Sequence, residues 1–136
     1  MNTQALINTA NAMVAEGKGL LAIDESTGTC NKRFASAGIP QTEEARRAYR
    51  ELLVTADGLD ECISGAILYD ETIRQSTAGG IPIAKVLADA NIIPGIKVDL
   101  GTTSLAGCPG EKITEGLDGL RARLKEYVDM GARFAK

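Results

Sequence analysis

The stretch Gly17–Thr29, GKGLLAIDESTGT, changes character halfway along. Four apolar residues, Leu20 to Ile23, run directly into Asp24, Glu25, Ser26 and Thr27, followed by Gly28 and Thr29. A short apolar run bounded by turn residues predicts a buried strand. A strand that ends in two acids and three hydroxyls must deliver them somewhere polar, because an isolated buried charge is very costly. The same design recurs. In CISGAILYDET an apolar strand over Ile63–Tyr69 ends in Asp70, Glu71 and Thr72, and in IIPGIKVDLG a third strand carries Lys97 and Asp99 near its end. ARFAK starts a fourth, which stops at Lys136.

Helical periodicity fills the intervals. Asn2 to Val14 places Leu6, Ala10, Met13 and Val14 on one face, and Gly17 and Gly19 close the helix. Thr42 is an N-cap candidate, with Glu43 and Glu44 in the first turn where acids suit the helix dipole. Ala45, Ala48, Tyr49, Leu52 and Leu53 then predict an apolar stripe. A short helix around Ile83 to Ala90 precedes the third strand. A Gly- and Pro-rich loop through Pro109 and Gly110 follows it, then a helix bearing Leu117, Leu120, Leu124, Tyr127 and Val128 that Gly131 caps. Alternating strands and helices, with strands apolar on both faces, predict an α/β fold around a parallel sheet. Doubly wound sheets and (β/α) barrels both fit this order. The polar residues at the C-terminal end of each strand favour a barrel, whose sites are built on that face; an open sheet confines its site to a switch point.

Composition narrows the function classes. A chain of 136 residues, 44% hydrophobic and 24% charged, suits one globular domain. A net charge of −3, a pI near 5.0 and scattered basic residues leave no footprint for nucleic acid. No apolar run approaches the roughly 18 residues that span a bilayer, and the first lysine is Lys18, so the start lacks a signal peptide's basic region. The expectation is a soluble, cytoplasmic protein without a membrane partner. Cys30, Cys62 and Cys108 stand far apart with no C-x-x-C pair, as idle thiols in a reducing compartment do. The absence of histidine removes the commonest zinc ligand and the usual general base together. Chemistry here must run on carboxylates and lysines.

Lys97 and Asp99 are two apart on a strand and share a face; Lys136 reaches the same neighbourhood if the fourth strand lies beside the third. With Asp24 they make either a catalytic cluster or a structural ion network, and spacing alone fits both. The ESTGT turn has the same two readings. Ser26, Thr27 and Thr29, with Lys32 and Arg33 one helical turn on, make a phosphate site at a helix start or an ordinary capped turn. Neither G-x-x-x-x-G-K-[ST] nor G-x-G-x-x-G occurs, so standard nucleotide loops are unsupported. Carboxylates and lysines without histidine suit carbonyl chemistry through a protonated Schiff base.

From GKGLLAIDESTGT onward, the chain strongly resembles class I fructose-bisphosphate aldolases. The likeness continues in order through RRAYRELLVTA, GAILYDETIRQ, GIKVDLG, GLDGLRARLKEY and GARFAK, almost the whole length. It implies a (β/α)8 TIM barrel of which residues 1–136 supply the N-terminal part, about the first four strands. It also implies reversible cleavage of fructose 1,6-bisphosphate to dihydroxyacetone phosphate and glyceraldehyde 3-phosphate in glycolysis and gluconeogenesis, without a metal or other cofactor. By motif, Asp24 handles the proton of the substrate hydroxyl beside the breaking bond. Lys97 and Lys136 act as positive charges and acid partners, Ser26 and Thr29 line a phosphate site, and Arg33 stands near a substrate phosphate. Asp70 and Leu100 depart from the family, which often has His and a charged residue there. The resemblance further implies a homo-oligomer, commonly a tetramer. A barrel of this kind usually takes about 250 residues, and the family's Schiff-base lysine belongs to a later part, so the expectation is that these 136 residues alone are inactive. The alternative is a small α/β sugar-phosphate-binding module without catalysis.

Overall fold

Each apolar run that ends in acids becomes a parallel strand. The computed structural model describes residues 2–136. Along the chain, α1 (Thr3–Met13) precedes β1 (Gly19–Ile23), α2 (Thr27–Ser36), α3 (Glu43–Val54), the single turn α4 (Leu59–Cys62) and β2 (Ile63–Leu68). There follow α5 (Asp70–Ile73), α6 (Ile83–Asp89), β3 (Ile93–Ile96), the short strands β4 (Thr102–Ser104) and β5 (Lys112–Thr114), α7 (Leu120–Asp129) and β6 (Phe134–Ala135). The sheet order is β1-β2-β3-β6, parallel throughout. All C-terminal strand ends therefore lie on one side. The fourth strand does pair with the third, and the ladder runs past its named ends: Lys136 N–H donates to Ile96 O and Val98 N–H to Lys136 O.

Alternation divides the sheet into two unlike faces. One face sends Ile23, Ala66, Leu68 and Ile96 against Ile83, Ala84 and Leu87 of α6 and Tyr127 of α7, and this is the main core. On the other face Leu20 of β1 and Phe134 of β6 lean over Gly65, and Phe134 covers Gly95. A Cβ on Gly95 would lie 2.2 Å from the Phe134 ring, so the large ring and the bare backbone are complementary. No helix covers this second face among the described residues. Leu20 stays 44% exposed, which corrects the expectation of strands buried on both sides.

Three helical stripes also differ from the periodicity. Thr42 does cap α3, its Oγ1 accepting from Ala45 N–H at 3.2 Å. The buried side of α3, however, is Arg46, Arg50 and Val54, while Leu52 is 70% exposed. Carboxylates at the strand ends recruit the guanidiniums inward. On α1 no residue is buried, with Leu6 and Val14 in solvent, and on α7 Tyr127 is buried while Val128 is exposed. Leu117 precedes α7 and is also exposed. The loop around Pro109 and Gly110 contains an antiparallel hairpin, β4 with β5, all six residues of which are exposed. It carries no buried face to reveal it in sequence.

Candidate active site

The alternation that aims Ala22, Gly95 and Phe134 at the helix-free face aims Asp24, Lys97, Asp99 and Lys136 the same way, at its C-terminal rim. There they line a cleft of about 780 Å³ together with Ser26 and Thr29. Lys136 Nζ donates to Asp24 Oδ2 at 2.6 Å. These residues end the first and last strands of the sheet, which on a flat sheet would stand about 14 Å apart at ordinary strand spacing. The ion pair spans the concave side instead, drawing the two edges' polar ends together. Asp24 is 7% exposed, so the lysine supplies the charge partner its burial demands.

Beside that pair, Lys97 Nζ donates to the Asp99 carboxylate and, at 3.1 Å, to the Asp99 carbonyl. Gly101 N–H donates to Asp99 Oδ1 at 3.1 Å. The Lys97 hydrogen bond, with help from Gly101 and the Lys136 charge, holds the Asp99 carboxyl below the usual carboxylate range against the opposing effect of burial. The segment is anchored from outside by Arg123 of α7, which donates to Val98 O at 3.0 Å and to Gly116 O. Gly116 has φ +130°, and a Cβ there would lie 2.9 Å from Val98 O; no other residue fits.

At the opposite lip, Ser26 caps α2. Its Oγ accepts from Thr29 N–H at 3.4 Å and lies 3.2 Å from Thr29 Oγ1. The capped turn and the cleft-lining hydroxyls are thus the same atoms. Arg33 does not line the cleft. Its side chain is 62% exposed and its guanidinium is bound to the carboxylate of Glu25, which does.

The third side was not foreseen as a unit. Asp70 Oδ1 accepts from Tyr127 OH at 2.8 Å and from Arg74 at 3.0 Å, and Arg74 also reaches Glu126 at 3.0 Å. Burial pushes the Asp70 carboxyl up, but the bonds from Arg74 and Tyr127 outweigh it and the net direction is down. Burial and the Asp70 bond push the Tyr127 phenol up. The Asp70–Arg74 pair was legible as an i,i+4 spacing; Tyr127 lies 57 residues away and was not. Leu100, 65% exposed, sits on the rim. Chemically the cleft offers two ammonium groups, each on a carboxylate, beside the start of α2, where the Ser26 and Thr29 hydroxyls can donate. That set suits a small, oxygen-rich anion. Among the described residues no group of three or more acidic or cysteine side chains is arranged to hold a metal ion, and no helix is long and apolar enough to cross a membrane.

Comparison with known proteins agrees with this fold. A family model for glycolytic, class-I fructose-bisphosphate aldolase matches residues 5–136. A probable class 1 fructose-bisphosphate aldolase of Xylella fastidiosa is 66% identical over 136 residues, which are all of this chain and 41% of that protein. The cytosolic fructose-bisphosphate aldolase 5 of Arabidopsis thaliana is 53% identical over 131 residues, 96% of this chain and 37% of its own; a chloroplastic relative from Chlamydomonas reinhardtii is 55% identical. A co-crystal structure of Plasmodium falciparum aldolase with TRAP and a small-molecule inhibitor superposes with a TM-score of 0.94 at 49% identity, covering 97% of this chain and 38% of that one. The chain spans about two-fifths of the length of these relatives. It belongs to the class I fructose-bisphosphate aldolase family.

Proposed function

We propose that these residues are the N-terminal part of a single (β/α)8 barrel that reversibly cleaves fructose 1,6-bisphosphate through a Schiff base, as a lyase of glycolysis and gluconeogenesis. Closure of the barrel would bury the apolar face around Leu20 and Phe134 and complete the cleft. The observation that carries the reading is the 2.6 Å Lys136–Asp24 pair set beside Lys97 in one cleft. Asp24 takes the proton from the hydroxyl beside the breaking carbon–carbon bond. Lys136 holds the Asp24 carboxylate and neutralises charge as the proton moves, and Lys97 offers a second ammonium to substrate oxygens. Ser26 and Thr29 hydrogen-bond one phosphate, and Arg33 leaves Glu25 to meet phosphate charge.

Neither cleft lysine is the imine-forming nucleophile. Such a lysine is activated by an apolar pocket or a neighbouring cation, whereas Lys97 and Lys136 each have a carboxylate as nearest charge. The nucleophile belongs to another part of the barrel, and the 136-residue chain alone is inactive. The three unpaired thiols suit a reducing compartment such as the cytoplasm, and assembly is homo-oligomeric, as a tetramer.

Asp24→Asn in the full-length enzyme tests the assignment. Losing a positioned acid–base group lowers kcat by about 10²–10⁴-fold, while borohydride still traps dihydroxyacetone phosphate on the protein. Retention of kcat within a few-fold would contradict the role of Asp24.

A further inference from the structure

Just outside the cleft, α3 buries Arg50 to 2% exposure. A buried guanidinium is costly unless it is both paired and hydrogen-bonded. Its neighbour Arg46 meets that demand: Nε and Nη2 each donate to Glu71 at 2.7 Å, and Nη1 donates to Asn31 at 3.0 Å. Arg50 does not. Its Nη2 donates to the Glu25 carbonyl at 3.0 Å, and its Nη1 faces Glu25 Oε2 at 3.0 Å as an ion pair too bent to be a hydrogen bond. Nε, Nη1 and Glu25 Oε2 are all buried without a hydrogen-bond partner. The Tyr49 ring lies 5.0 Å from the guanidinium carbon.

An under-satisfied buried ion pair is not what stability selects, since apolar side chains of similar volume often serve such positions as well or better. What a guanidinium can do there, and an apolar group cannot, is grip one residue by its main chain and its side chain at once. That residue is Glu25. It follows Asp24 directly, and its other carboxylate oxygen binds Arg33.

We propose that Arg50 is a positioning residue for the cleft: by gripping the carbonyl and the carboxylate of Glu25 it fixes where Asp24 meets Lys136 and, through Glu25, where Arg33 stands. The proposal deepens the aldol reading of the cleft and rests on it. Arg50 itself does not line the cleft. Its effect is on geometry, and a misplacement of about 1 Å at reacting groups can cost about 10²-fold in rate.

The test uses the full-length enzyme with Arg50→Lys, which keeps the charge and loses the fork, and Arg50→Met. Activity is expressed per site trapped by dihydroxyacetone phosphate and borohydride, so unfolded molecules do not count. Arg50→Lys lowers kcat per trapped site by about 10²-fold with KM little changed, and the loss largely disappears when Asp24 is already Asn, because both changes remove one function. A second readout needs no substrate: the Lys136 side-chain ¹⁵N signal, which reports its bond to Asp24, shifts in Arg50→Lys while that of Lys85, paired with Asp89 on α6, stays. Unchanged kcat per trapped site, additivity with Asp24→Asn, or an unmoved Lys136 signal overturns the proposal. If the unsubstituted enzyme does not cleave the sugar bisphosphate, the aldol reading fails and the Lys136 signal alone decides the role of Arg50. If Arg50→Met does not fold, Arg50→Lys carries every arm.

Discussion

Arg46→Met isolates the reason α3 turns arginines inward. The substitution keeps most of the aliphatic stem and removes the fork that meets Glu71 through two bonds of 2.7 Å. Glu71 then keeps its charge with its side chain only 22% exposed and no cation in contact. Stranding one member of a buried pair costs 3–5 kcal/mol, and the residual hydration of Glu71 places the expected loss near the lower end, about 3 kcal/mol. For a chain of this size that corresponds to a fall in Tm of roughly 10 °C. Adding Glu71→Gln removes the stranded charge and restores about 1–2 kcal/mol, since a neutral group at this depth pays a smaller desolvation penalty. Urea denaturation followed by circular dichroism, on the single variants and the double variant, gives the coupling directly. A loss under about 1 kcal/mol for Arg46→Met, or no recovery on adding Glu71→Gln, would refute the claim that carboxylates dictate the buried face of α3.

The Asp99 carboxyl sits below its ordinary range because Lys97 hydrogen-bonds it, so its stabilising contribution is complete above the unfolded value of about 3.9 and is lost as pH falls through the folded one. Asp99→Asn should therefore be less stable than the parent at pH 7, with the difference shrinking below about pH 4; urea midpoints across that range check it, and a constant difference contradicts it. Thiol labelling of the native chain should modify Cys62 and Cys108 quickly and Cys30, 1% exposed, only on unfolding. Three equally fast thiols would show that α2 does not pack as described.

How much of this was legible in the sequence depended on whether a residue answered to its neighbours or to distant ones. The strands were legible because apolar runs ending in Asp24, Asp70 and Lys97 are local facts, and the parallel order followed from the intervening helices. Alternation then fixed which strand-end residues share a face, so Asp24, Lys97 and Lys136 do converge, and the turn after β1 adds Ser26 and Thr29 to the same cleft. The α3 stripe was misread because hydropathy assigns arginine to solvent, whereas Arg46 and Arg50 answer to Glu71 and Glu25, each 25 residues away. Arg33 lies outside the cleft lining, its guanidinium on Glu25 eight residues earlier. The exposed hairpin had no apolar alternation to reveal it, and the Tyr127–Asp70 bond joins helix and strand end across 57 residues.

In the proposed function these 136 residues supply the acid and cationic side of an aldol cleft but not its nucleophile. Intact mass after incubation with dihydroxyacetone phosphate and borohydride tests it most directly. The expected result is no adduct on the 14.3 kDa chain and one adduct on the full-length enzyme. A covalent adduct on the 14.3 kDa chain itself would contradict it and would make Lys97 or Lys136 the imine-forming residue.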